Sequence, residues 1–276
     1  MISRSCDPDS PSSSQILEFL QAGLDMGLAL STLKVQVAAI STATSRRWAE
    51  DPLIIQFFKA VRKIRPPTKQ AFPTWDLAVI LEALASPPFA PSDSASLWNL
   101  TLKLTFLIAI TSGRRVSELQ ALGADDNHII FYHDRVELRT VRGFIPKVTS
   151  SLAMSEPWAL PTFLEQESGS LHELDIASTL KCYLRVTAPF RDSTKLLIIP
   201  WGKNKGKEAS ARTIASWIVK LIHKVYRARG LCPPLMVRAH STRMVSASWV
   251  ARAIVSIETI CRPATWSSQH TFLKHY

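Results

Sequence analysis

Residues 111–122 read TSGRRVSELQAL. The stretch that leads into them, SASLWNLTLKLTFLIAITSG (94–113), is apolar almost throughout and predicts a long, largely buried helix that stops at Gly113. Two guanidinium groups, Arg114 and Arg115, follow at once, before SEL opens another helix. An unpaired charge at the end of a buried helix is unfavourable by several kcal/mol, so the pair calls for an anion or a carboxylate. Glu118 stands one turn after Arg115 and supplies one, which makes an ordinary intrahelical ion pair the plain alternative to an anion site.

Outward from this point the chain is mostly helical. HIIFYHDRVELRTV (128–141) changes period, with β-branched and aromatic residues around a polar HD turn, and predicts two short strands. WALPTF (158–163) predicts a third strand or an extended return. Helices resume in DIASTLKCYLRVTA (175–188), and KLLIIPW (195–201) reads as a short strand before the GKNKGK turn (202–207). SARTIASWIVKLIHKVYRARG (210–230) is a long amphipathic helix, and STRMVSASWVARAI and SIETICRPATW are two further helical segments. Upstream, ILEFLQAGLDMGL, STLKVQVAAISTAT and PLIIQFFKAVRKI repeat apolar residues at helical spacing behind Ser or Pro start signals. The expected fold is mainly α with a small β-sheet (α+β). Its expected divisions are a disordered polar N-terminus over 1–13, a helical domain over 14–64, a stiff Pro-containing linker over 65–72 and a larger domain over 73–276.

The 276 residues are 46% hydrophobic and 20% charged, ordinary for a globular chain of two domains. Lys and Arg total 33 against 22 Asp and Glu, a net charge of +11 spread along the sequence. A distributed positive field suits a partner with a dense phosphate backbone; a basic protein with no polyanionic ligand is the alternative. Cys6, Cys182, Cys232 and Cys261 form no CxxC pair, which argues against structural zinc and for free thiols in a reducing compartment. The most apolar stretch carries a lysine and is too short to span a bilayer, so a soluble intracellular protein with no membrane partner is expected. No fixed-period repeat is present, which removes solenoids.

Two further groups carry chemistry. His240 and Arg243, in RAHSTRMVSASW, are three apart at a helix start. A guanidinium beside an imidazole lowers its proton affinity, and a phosphate reconciles the two. An H-x-x-R is common in proteins of any kind. At the C-terminal end, Trp266 and Tyr276 bracket a polar, His-containing helix, and a phenol oxygen becomes a nucleophile when nearby cations stabilise its anion. A core tyrosine is the commoner outcome.

In this order, RVSEL, then HSTR, then TWSS…TF..HY, in a basic chain with a small helical domain in front, the sequence resembles the tyrosine recombinases (phage integrase family). STLKVQVAAIS, PTWDL, GFIPKVTSS, AHSTR and ICRPATWSSQHTFLKHY are similar to the recombinase encoded by DIRS-type retrotransposons, over nearly the whole chain from Ile16. The resemblance implies an N-terminal SAM-like core-binding domain and a C-terminal catalytic domain clamped on double-stranded DNA. It implies Arg115 on the scissile phosphate with Glu118 in support, His240 and Arg243 as the second box, and Tyr276 as nucleophile. Trp266 stands where the wider family commonly has histidine, so its indole can donate a hydrogen bond but cannot exchange protons. Lys147 in GFIPKVTS matches the lysine general acid best; Lys203, Lys205 and Lys207 compete for that role and read otherwise as phosphate contacts on a mobile loop. Arg62, Lys63 and Arg65, in the basic run that leads into the linker, would follow the DNA backbone.

The implied reaction is strand exchange or integration through a 3′-phosphotyrosyl intermediate by a homo-tetramer, with no metal and no small-molecule cofactor, and the nucleus as compartment. Relatives of this kind extend past the tyrosine, whereas this sequence stops at Tyr276. That departure keeps a catalytically decayed DNA-binding module open as an alternative, and the shared chemistry keeps open a type IB topoisomerase-like nicking and closing enzyme.

Overall fold

The computed structural model describes residues 10–66, 75–147, 156–162, 169–235 and 237–252. The chain divides into two compact units, Met1–Ala71 and Phe72–Tyr276.

The first unit holds α1 (Ser13–Asp25), α2 (Leu30–Ala43), a 3-10 turn (Trp48–Glu50) and α3 (Pro52–Ile64). Ser12 and Ser13, expected within the polar N-terminus, are the cap and first residue of α1. The Ser12 hydroxyl accepts from Gln15 N at 3.3 Å while the Gln15 side chain accepts from Ser12 N at 2.8 Å, a reciprocal capping box. Asp51 caps α3 ahead of Pro52, accepting from Leu53 N at 2.9 Å. The Ser13 hydroxyl, which donates to Asp51 at 2.7 Å, holds that carboxyl below the ordinary carboxylate range and ties the starts of α1 and α3 together. Leu20, Leu33, Val37, Trp48 and Ile54 form the unit's own core.

The second unit contains α4 (Leu77–Leu84), α5 (Leu97–Ser112), α6 (Val116–Gln120), strands β1 (Ile129–Phe131), β2 (Arg135–Leu138) and β3 (Trp158–Pro161), α7 (Ile176–Thr187), α8 (Ala211–Ala228) and α9 (Ser241–Arg252). The strands make one antiparallel sheet in the order β1-β2-β3, with Ile130 opposite Glu137 and Val136 opposite Leu160. KLLIIPW, expected as a strand, buries Leu196–Ile198 but builds no ladder. It bridges other backbone at two points, Gly123 to Lys195 and Ile198 to Glu208, with Leu196 N donating to Leu122 O on one side and Ala209 N to Leu197 O on the other. No helix of the described residues is long and apolar enough to cross a membrane.

The spine of the unit is α5. Every residue from Asn99 to Ile110 is buried, and α6, α7, α8, α9 and β3 all pack on it. That arrangement explains a sequence with no polar stripe: a helix covered on all sides has no solvent face to mark. It also buries Lys103 completely. The ammonium donates to Phe89 O at 3.1 Å and Ser92 Oγ at 3.2 Å, and burial pushes its pKa down to about 8, against the raising influence of Glu173.

This shift has a definite sign. The folded protein releases the Lys103 proton at about 8 and the unfolded chain near 10.5, so the folded state binds fewer protons between those values. The penalty of the buried charge is therefore full below pH 8 and is relieved as pH rises toward 10.5. The gap corresponds to about 3 kcal/mol at ~1.4 kcal/mol per unit. Urea unfolding of wild type and Lys103→Met between pH 7 and 10 is expected to show wild type gaining on the variant by about 1–3 kcal/mol. Other titrations cancel in the difference, and parallel curves would refute the account.

Candidate functional site

At the C-terminal end of α5, Gly113 takes a left-handed conformation (φ 58°) and its N–H closes on Ala109 O at 3.2 Å. Ser112 Oγ donates to Ile108 O at 2.6 Å and accepts from Arg114 N at 3.3 Å, which sets the direction in which the chain leaves the core. Arg115 then caps α6 with an extended backbone, and its side chain turns to Glu118 rather than to the helix amides.

Glu118 is gripped from both sides. Its Oε1 lies 3.3 Å from Arg115 Nη1 and its Oε2 lies 3.7 Å from Arg114 Nη1. The Glu118 side chain is 2% exposed, that of Arg114 7% and that of Arg115 24%. The neighbouring arginines thus differ in kind. Arg114 is interior, with its guanidinium 5.1 Å from the Trp158 ring of β3. Burial pulls its proton affinity below the ordinary arginine value, against the raising influence of the Glu118 and Glu156 carboxylates. Arg115 keeps part of its guanidinium open while a buried carboxylate braces it, the condition in which an arginine can meet an anion in a fixed orientation. The expected ion pair forms with both arginines, and Arg115 is the one of the two that keeps part of its side chain open to solvent.

His240 and Arg243 stand at the start of α9. His240 is exposed in the turn before the helix, while Ser241, Thr242 and Arg243 are buried, Arg243 to 1% exposure. A tryptophan fixes this turn: Trp75 Nε1 donates to Ser241 Oγ at 2.8 Å, and Ser241 Oγ donates to Arg238 O at 2.6 Å. The Trp75 ring meets Phe106 of α5 edge-on at 5.8 Å, and Asp76 N donates to the Tyr226 hydroxyl at 2.7 Å. Trp75 therefore holds the His240–Arg243 turn against the spine helix, although 166 positions separate it from Ser241. Sequence reading missed this role; the only signal was PTWDL itself. Arg115 and Arg243 are carried by elements that both meet α5.

Lys147 is exposed in the stretch after β2. Lys203, Lys205 and Lys207 are also exposed, but their turn is not the loose loop expected. Gly206 N donates to Ile199 O at 2.9 Å, Ile199 N to Lys207 O at 2.8 Å, and Asp192 N to Gly206 O at 3.0 Å. Backbone hydrogen bonds on both sides hold the backbone of the turn that carries the lysines. In the first unit, Arg62 and Lys63 occupy the last turn of α3 and Arg65 is its C-cap, all three exposed. Trp266 and Tyr276 lie outside the described residues. Among the described residues, no three His, Cys, Asp or Glu side chains gather where they could hold a metal ion.

No protein-family model and no curated protein matches the chain. Solved structures do match. The Tn1549 transposon integrase in complex with transposon right end DNA aligns over 99% of this chain and 83% of its own, with a TM-score of 0.60 and 14% identity. The XerH site-specific recombinase bound to difH substrate aligns over 95% of this chain, with a TM-score of 0.54 and 15% identity. A lambda integrase dimer bound to a COC′ core site aligns over 97%, with a TM-score of 0.53 and 15% identity. The chain spans 66% and 65% of the latter two. The structural neighbours are recombinases and integrases, and the mostly helical body around a small three-stranded antiparallel sheet is the fold of the tyrosine-recombinase catalytic domain.

Proposed function

We propose that this chain is a DNA strand-exchange enzyme of a mobile element, most similar in its motifs to the recombinase of DIRS-type retrotransposons. The observation that carries the reading is Arg115: on a recombinase fold, it leaves the spine helix part-open to solvent and is braced by the buried carboxylate of Glu118. Arg115 and Arg243 would neutralise the non-bridging oxygens of one DNA phosphate. Tyr276 Oη would attack the phosphorus in line, forming a P–O bond to the protein as the bond to the 5′-oxygen breaks. His240 would take the phenol proton, Lys147 would protonate the departing 5′-oxygen, and the Trp266 indole N–H would donate to the phosphate. The product is a 3′-phosphotyrosine that a second 5′-hydroxyl can reverse without ATP. A homo-tetramer holding two duplexes is the assembly this exchange requires, and the nucleus is where the substrate resides.

A covalent-trapping assay on nicked duplex from the element's termini tests the proposal. The expected result is an SDS-resistant protein–DNA band that disappears in Tyr276→Phe and forms about 10²–10³-fold more slowly in Arg115→Ala. A band that persists undiminished in Tyr276→Phe would sink the assignment.

A further inference from the structure

The lysine turn carries one residue that duplex binding does not use. Trp201 opens it and is 49% exposed. Its ring stands edge-to-face against Trp98 of α5, centroids 4.2 Å apart and planes at 82°. Trp98 in turn meets the buried Trp217 of α8 at 6.2 Å and 84°. The exposed indole is thus the outer end of an aromatic row rooted in the core, and it cannot simply fold away. The turn behind it is equally fixed by the Gly206 and Ile199 hydrogen bonds described above, and Lys205 lies over the Phe190 ring at 4.2 Å.

The charge around this indole is one-sided. Residues 200–213 carry Lys203, Lys205, Lys207 and Arg212 against the single carboxylate of Glu208. The same segment feeds the N-terminus of the 18-residue helix α8, the positive end of its dipole. Lysine-rich patches are poor protein–protein surfaces but good phosphate surfaces. In a duplex the base faces are covered by one another, so an exposed indole among backbone-binding lysines finds no ring to stack on. An unpaired strand offers both groups at once: phosphates for the lysines and a base face for the indole.

We propose that Trp201 stacks an unpaired base of a DNA strand whose phosphates lie along Lys203, Lys205 and Lys207. The inference rests on the proposed strand-exchange function, which is what would supply a strand parted from its complement. Trp201 then acts on the exchanging strand, separately from the residues assigned to the phosphate being cut.

The test compares binding of fluorescently labelled oligothymidylate and a duplex of equal length, at matched salt, by wild type, Trp201→Ala and Trp201→Phe. Wild type is expected to bind both. Trp201→Ala is expected to lose about tenfold or more on oligothymidylate while keeping its duplex affinity within about twofold, and Trp201→Phe to retain most of the single-strand affinity. Equal losses on both ligands, or no loss on either, would overturn the proposal, as would tighter binding of oligouridylate, which would assign the surface to RNA. Wild type that binds duplex and forms the covalent adduct but ignores oligothymidylate would overturn this inference alone. Failure to bind either ligand or to form the adduct would overturn the strand-exchange reading together with it.

Discussion

Glu118→Ala is expected to lower the unfolding free energy by about 3–5 kcal/mol, the usual consequence of removing one partner from a buried ionic cluster. The carboxylate stands within ion-pair distance of both Arg114 and Arg115 and receives both. Without it, Arg114 remains a charged group at 7% exposure, beside a second guanidinium that repels it. Arginine does not escape by releasing its proton, so with only the Glu156 carboxylate left acting on Arg114 most of the penalty of the buried charge stays in the folded state. Glu118→Gln keeps the volume and one acceptor oxygen and should lose about half as much. Denaturant titration of the three proteins decides the matter: a loss below about 1 kcal/mol in Glu118→Ala would mean that solvent or another acid compensates the pair. The same substitution unties Arg115, so adduct formation should slow even where the protein remains folded.

Gly206→Ala should destabilise by more than about 3 kcal/mol for a different reason. At φ 88° a side chain is already strained, by about 1–2 kcal/mol. The larger effect is steric: a Cβ on Gly206 would sit 2.0 Å from Phe190 O, a backbone atom that cannot swing aside, with Phe190 C and Asp192 N at 3.2 and 3.3 Å. Gly202, in the same turn at φ 78°, has open space where its Cβ would be, so Gly202→Ala isolates the strain from the clash. Thermal unfolding should separate the two variants clearly. Equal effects would show that the approach to Phe190 relaxes at little expense. Because Gly206 holds the lysine turn to Phe190–Asp192, its substitution should also weaken DNA binding.

The parts of this architecture that were legible in the sequence are those governed by neighbours along the chain. The apolar run that becomes α5, its stop at Gly113, and the change of period that becomes β1 and β2 all rest on local rules. So does the pairing of Glu118 with Arg115, one turn apart. What escaped reading depends on distant segments. That Arg114 is interior and Arg115 part-open is decided by the Trp158 ring of β3, and that the His240 turn is fixed is decided by Trp75. KLLIIPW has the composition of a strand, yet among the described residues it joins other backbone through isolated bridges and not a ladder. The lysine turn has the glycines of a loose loop, but one of them serves a tight crossing under Phe190. The motifs drew attention to Arg115 and to the His240 turn; packing across long sequence separations set the surroundings of both.

The burial of α5 on every side also bears on how the chain is made. Its covering helices α7, α8 and α9 all follow it in sequence, the last two roughly a hundred residues or more later, which at ~5–20 residues per second is a delay of about 5–20 s or longer on the ribosome. Until they emerge, a 16-residue helix with no polar face stands incompletely covered in the nascent chain. The first unit, which closes its own core, can fold meanwhile; the second must wait until its later helices have emerged. The spine that organises the second unit is therefore also its aggregation hazard during synthesis, and Lys103, a charge buried at stability's expense, gives the emerging helix its one charged group until the others arrive.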